Sequence, residues 1–321
     1  QYMEDMIAEA GIEAWEKAVP AKIGLVTADG TGVGTNRRDP KGPFDPEVPV
    51  LAVKTTDNKH IAVMLVYSMH PTVLHEDSKL VSADFPGMTR QYLQKNVLGE
   101  NCPVLYHTGP EGNQSPRHVT KGNTFEEAER LGHILGKAVE KVLPKMTMTS
   151  SCDIRIKQIL LDLPGKAFPS IPEAKKKLKS AIMKLETLRK NGAPRREVRT
   201  AECDWFGAEE TVTLARAAAD GRIKKEYLTC LPAEIQVVKL GLWNFVGWPG
   251  EVFIEYALAV KKDFSNTYII NLANGELQGY IVTEEAALEG GYEASNGLFA
   301  PESGRILVDE TIKALHEITE Q

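Results

Sequence analysis

HIAVMLVYSMHPTVL, residues 60–74, joins an unbroken apolar run, Ile61 to Tyr67, to a polar loop carrying a His-Pro pair. The run is far too short to span a bilayer. It also lacks the alternation of a strand with one wet face, so it reads as a central strand covered on both sides. Upstream, VPVLAVK (48–54) and KIGLV (22–26) predict two more strands, separated by the Gly/Pro/Asp-rich loop DGTGVGTNRRDPKGPFDPEV (29–48). Residues 2–18 place Met6, Ile7, Ala10, Ala14 and Ala18 at helical spacing, ending before Pro20. Downstream, the loop SMHPTVLHEDSKLVSADF leads into a helix expected from Pro86, since proline suits the first helical position.

The remaining chain continues the alternation. PVLYH (103–107) predicts a short buried strand, and Thr124 with Glu127 forms a capping box for a helix ending near Leu143. Residues 152–162 read as a strand, and 171–219 as a charged, projecting helical arm. Residues 234–247 read as a strand pair or one long strand. The chain then breaks at Trp248-Pro249-Gly250 into a helix with Val252, Phe253, Tyr256 and Val260 on its apolar face. TYIINL (267–272) and a helix over 303–318 follow. This order predicts an α/β fold with a mixed sheet core flanked by helices. It is read as a single domain over 1–321, with the helical arm inserted at about 165–225. No internal repeat stands out.

Composition narrows the function. A net charge of −6 over 321 residues gives no support for nucleic-acid binding. The lysines and arginines of 174–195 read as the solvated face of a helix. No run is apolar enough for a transmembrane segment. Cys102, Cys152, Cys203 and Cys230 form no CxxC pair, which argues against a cysteine-built zinc site and a dense disulfide framework and leaves a single disulfide open. The opening segment is a helical pattern rather than a signal sequence, and it assigns no compartment.

Four loops that follow strands carry unusual residues, where α/β sheets gather their chemistry. His70 precedes a proline that fixes its backbone; it is a candidate zinc ligand, or a histidine that caps a buried strand. His75 is a second candidate or an ordinary loop residue. In GPEGNQSPRH (109–118), Ser115 sits in a glycine-bearing turn whose amides could face an oxyanion, or in a plain Asn/Ser/Pro turn. The turn is not a GxSxG nucleophile elbow. Glu251 in GWPGE is expected in the first turn of a helix, where the dipole favours a carboxylate, as ligand or as routine stabiliser. Tyr280 and Tyr292 lie in a glycine-rich, acidic region, where a phenol near a dication can ionise or donate.

Together and in this order these segments resemble the neutral (non-lysosomal) ceramidase family. The resemblance is carried by TNRRDP (35–40), DPEVPVL (45–51), YSMHPT (67–72), GNQSP (112–116), GWPGE (247–251) and the block NGELQGYIVTEE…GGYEA. It implies one zinc ion per site with His70, Glu251 and Tyr280 as ligands. Ser115 would stand beside the metal, Tyr292 would be an oxyanion donor, and Arg37 would lie at the site mouth. The family's other zinc histidine belongs to an HxH segment upstream of the matching region. A companion N-terminal segment or chain is therefore expected to carry it. No counterpart of the family's appended immunoglobulin-like domain is expected, and ceramide itself is not expected to carry over as substrate.

The implied activity is zinc-dependent hydrolysis of an N-acyl amide in a small molecule, by metal-activated water with Ser115 and Tyr292 assisting. Two rival readings stand beside it. One is a metal-independent serine hydrolase using Ser115 with His70 or His118. The other is a non-catalytic binding subunit of the same fold.

Overall fold

The computed structural model describes residues 1–320. The chain begins with helix α1 (Tyr2–Glu16), followed by strands β1 (Ala21–Asp29), β2 (Thr35–Asn36), β3 (Glu47–Thr55) and β4 (His60–Tyr67). Then come α2 (Asp84–Leu93), β5 (Val104–Thr108), β6 (Gln114–Ser115), α3 (Phe125–Val142) and β7 (Ile154–Leu161). Three helices intervene, α4 (Ile171–Lys190), α5 (Arg195–Ala219) and α6 (Ile223–Cys230), before β8 (Ala233–Leu240), β9 (Trp243–Gly247) and β10 (Gly250–Val252). The chain closes with α7 (Ile254–Asp263), β11 (Thr267–Ile270), β12 (Leu277–Ile281), α8 (Glu284–Glu289), α9 (Tyr292–Ser295) and α10 (Glu302–Glu320).

Two four-stranded sheets, ordered β1-β3-β4-β5 and β11-β9-β8-β7, form the middle layers. Their facing sides meet through Val66, Phe245 and Tyr268, with Leu25, Met64 and Val238 around them. The outer side of the first sheet packs Val50, Val63 and Leu65 against Phe85 of α2 and Leu131 and Leu135 of α3. The outer side of the second packs Ile235, Val237 and Val246 against α7 and α10. The result is a helix–sheet–sheet–helix stack. The strand alternation explains β4: Val63, Leu65 and Tyr67 face the helices, while Met64 and Val66 face the other sheet. Both sides are dry, so no polar residue interrupts the run.

The sheets share one topology. In each, three strands pair antiparallel and the third crosses over to a parallel fourth: β1, β3, β4, then β5, and β7, β8, β9, then β11. This internal correspondence is invisible in the sequence. The two halves keep the order of elements while their side chains and loop lengths differ.

Several expectations are corrected. The helical arm does not project; α5 buries Cys203, Gly207, Ala208 and Thr211, and Gly207 lies against Tyr292. Glu251 and Val252 belong to strand β10, and the helix begins only at Ile254. Helix α2 starts at Asp84, which the buried Asp84 carboxylate enables by accepting from the Leu74 and Phe85 amides. Helix α1 forms, yet none of its residues is buried. The four cysteines are all unpaired. Among the described residues no helix is long and apolar enough to cross a membrane.

Candidate active site

The carboxyl ends of the two parallel strand pairs meet. The Asn271 amide, just past β11, donates to the Thr108 carbonyl at the end of β5 (2.9 Å), and Gly109 donates to Tyr67 at the end of β4 (2.9 Å). His70 follows β4, Glu111 follows β5 and Glu251 follows β9, so the candidate ligands come from strand ends of both halves.

His70 is held by its backbone and its ring. Its amide donates to the Gln114 carbonyl at 3.1 Å. Nδ1 faces two carbonyl oxygens, Glu111 at 2.7 Å and Gln114 at 3.0 Å. Carbonyls only accept, so Nδ1 carries the proton and donates. In a neutral imidazole that leaves Nε2 with a bare lone pair, and it lies 2.8 Å from Glu251 Oε1. Two electron-rich atoms at that distance need a proton or a cation between them.

Glu111 sharpens the point. It is buried, and neither carboxylate oxygen has a partner at hydrogen-bond geometry; its carboxyl is raised well above the ordinary range by burial first and by the Glu251 charge second, with its own backbone amide, the nearby Asn271 side chain and Arg37 acting the other way. Ligand atoms of His70, Glu111 and Glu251 all lie within 4.8 Å of one another. An imidazole nitrogen with carboxylate oxygens is a donor set that zinc accepts, and the backbone-anchored Nδ1 is the usual support of a metal-binding histidine. The residues present therefore fit a divalent cation.

Short ladders place the rest. β10 and β12 run parallel with Glu251 opposite Tyr280, so backbone pairing rather than a helix dipole positions both. Gly112 lets the GNQSP turn approach this strand: a Cβ there would lie 2.7 Å from the Glu251 carbonyl oxygen. Asn113 then pins the turn to α7, its Oδ1 accepting from the Ile254 amide (3.1 Å) and its amide group donating to Glu255. β2 pairs with β6, Thr35 opposite Ser115, which delivers Arg37 to the site; its amide donates to Asn113 at 2.7 Å.

The Arg37 guanidinium is buried. It donates to the Gly112 carbonyl (2.8 Å), lies 2.7 Å from Glu293, and sits over the Tyr280 and Tyr292 rings at 5.1 and 5.8 Å from their centres. Burial works against the Glu293 charge, but Arg37 and Arg38 outweigh it and hold that carboxyl below its ordinary range. Burial pushes the Tyr280 phenol well up; Arg37 opposes this and Glu251 adds to it. With no metal ion beside it Tyr280 stays protonated even next to Arg37.

One cavity of about 340 Å³ is lined by all six residues singled out from the sequence: Arg37, His70, Ser115, Glu251, Tyr280 and Tyr292. His75 also lines it, but its Nδ1 contacts Asn123 and it stands outside the ligand cluster. Ser115 Oγ accepts from the Arg117 amide at 3.3 Å. Among the described residues no histidine hydrogen-bonds Ser115: both ring nitrogens of His70 are engaged elsewhere, and His118 Nε2 contacts the Arg37 carbonyl. Sequence reasoning missed Glu111, although it stands in the same strand-end loop as Ser115. It also missed the arm's contribution of Arg199, Cys203 and Phe206 to the wall.

No protein-family model and no curated protein matches the sequence. Solved structures do match in shape. The neutral ceramidase from Pseudomonas aeruginosa aligns with a TM-score of 0.64 at 14% identity, over 98% of this chain and 55% of that one. A ceramidase complexed with C2 aligns at 0.61 and 13% identity, over 96% of this chain and 55% of the other. The chain spans about half the length of these structures. At such identity the likeness is one of architecture, and the architecture of this chain is that of the bacterial neutral ceramidases.

Proposed function

We propose that the protein is a zinc-dependent hydrolase of an amide (N-acyl) bond in a small molecule. The observation that supports this best is the convergence of His70, Glu251 and the orphaned Glu111 carboxylate, with His70 and Glu251 lining a cavity that also holds Ser115 and two tyrosines. His70, Glu251 and Glu111 would hold the ion, with the Tyr280 phenol as the fourth donor. A second zinc histidine, expected from the family resemblance, has no counterpart in the cluster. Zinc bound there would polarise an amide carbonyl and acidify water.

The chain's own groups do the rest. Arg37, fixed by Gly112 and Glu293, holds the Tyr280 and Tyr292 rings in register. Tyr292 lines the cavity and supplies a phenolic donor to the oxygen that gains charge as the amide carbonyl turns tetrahedral. Ser115 accepts from the Arg117 amide, which leaves its own hydroxyl proton free to position substrate or water. The absence of a histidine at Ser115 Oγ gives no support to a serine-nucleophile triad.

Metal analysis and an amide panel test the reading. Purified protein should carry about one zinc per chain and lose amidase activity to a chelator. His70→Ala and Glu251→Ala should each lose both metal and activity while keeping the wild-type circular dichroism spectrum. Full metal content in either variant would overturn the ligand assignment.

A further inference from the structure

A second cavity of about 240 Å³ adjoins the first, sharing His75, Arg117 and Arg199 in its wall. Its lining is strongly cationic, with Arg195 and Arg196 joining Arg117 and Arg199. Only Arg199 is neutralised, by Glu76 (2.8 Å) and Glu202 (2.7 Å). Among the described residues no carboxylate lies within 4.0 Å of Arg117, Arg195 or Arg196. Arg195 contacts the neutral side-chain oxygen of Asn123, and the half-buried Arg117 contacts Cys203 Sγ at 3.3 Å. Burial first, then the neighbouring Arg37 and Arg199 charges, make the Arg117 cation costly, with Cys203 acting the other way.

Helix propensity gives no reason for this arrangement. Arg195 and Arg196 open the 25-residue helix α5 at its positive end, where basic side chains are unfavourable; no side-chain cap is made there, and Glu197 is the one acid of that turn. The protein as a whole carries net negative charge. Two arginines set against a helix dipole and a half-buried third, none of them with a carboxylate partner, surround one cavity and mark a site for an external counter-ion.

We infer that this cavity is a subsite for an oxyanion on the substrate, a carboxylate or a phosphate ester, gripped by Arg117 with Arg195 and Arg196 at its mouth. The inference rests on the amide-hydrolase reading for the adjoining site and narrows its substrate to N-acyl amides bearing an anionic group. Guanidinium groups suit either oxyanion because two parallel N–H bonds match two oxygens.

The test compares kcat/KM for N-octanoylglycine, N-octanoylethanolamine and the O-phosphate of the latter. The anionic substrates should be favoured by about tenfold or more, the size of one charge-assisted hydrogen bond, and the two anionic arms identify which oxyanion is preferred. The exposed Arg196→Gln should erode that preference several-fold and leave N-octanoylethanolamine turnover unchanged, and Arg117→Gln should erode the preference at least as far. Equal kcat/KM across the three substrates in wild-type protein would overturn the inference. Should no amide be cleaved, the hydrolase reading fails by itself. Calorimetric titration with N-octanoylglycine then decides the subsite: binding weakened several-fold in both variants supports it, and no binding to wild type sinks it.

Discussion

A carboxylate without a hydrogen bond is the most informative side chain in this protein. Glu111 is enclosed, has no partner on either oxygen and faces a second carboxylate. Burying such a group uncompensated is expensive, so it implies a cation or a captured proton. Glu111→Gln keeps the volume and removes the charge, which separates the two roles. The metal-free variant should be at least as stable as metal-free wild type, by about 1 kcal/mol or more, while zinc affinity drops at least about tenfold. Thermal unfolding in chelator and a zinc titration check both halves. Unchanged zinc affinity would remove Glu111 from the ligand set. Its chemistry was legible in the sequence only as an acid among glycines; the missing signal was burial, which depends on strands from both halves.

At the scale of elements, what the sequence revealed and what it hid follow one rule. Strands β3, β4, β5 and β11 announce themselves because each buries apolar side chains. Strands β2, β6 and β10 of the two-stranded ladders that assemble the site have only two or three residues each, too few to leave a period. Glu251 was misread for that reason: Pro249-Gly250 looks like a helix entry, whereas pairing with β12 extends the chain through Val252. The ladder has a sharp requirement at Gly279, whose φ is +76° and where a Cβ would come 2.2 Å from the Asn296 oxygen. Gly290 has a similar φ of +79° with open space around it. Gly290→Ala should cost only backbone strain, about 1–3 kcal/mol, since its ψ of −147° lies in a region kept almost entirely for glycine. Gly279→Ala should cost clearly more and disturb Tyr280, lowering both the melting temperature and activity. Equal melting temperatures for the two variants would show that β12 can shift without consequence.

Over the whole molecule, two halves of equal topology are held in register around the site by ions that cross between them. Arg37 and Arg38 of the first half grip Glu293 of the second at 2.7 and 2.9 Å, and Lys261 of α7 reaches Asp45 at 2.6 Å. Glu293 is buried, so solvent screens its pair with Arg37 little, and its carboxyl titrates below the ordinary range. A carboxyl whose pKa is lowered on folding stabilises the fold above its unfolded pKa, about 4.3, and that contribution is lost as pH falls through the folded value. The contribution of Glu293 should therefore hold from neutral pH down to about 5 and be lost progressively below about 4.3. Glu293→Gln should flatten the part of that acid limb due to this group and also lower stability at pH 7 by about 3–5 kcal/mol, because the enclosed Arg37 is left without its counter-ion. Denaturant unfolding across pH measures both. An acid limb as steep in the variant as in wild type would mean that carboxylates elsewhere set the acid limit and that the clasp between the halves is not electrostatic.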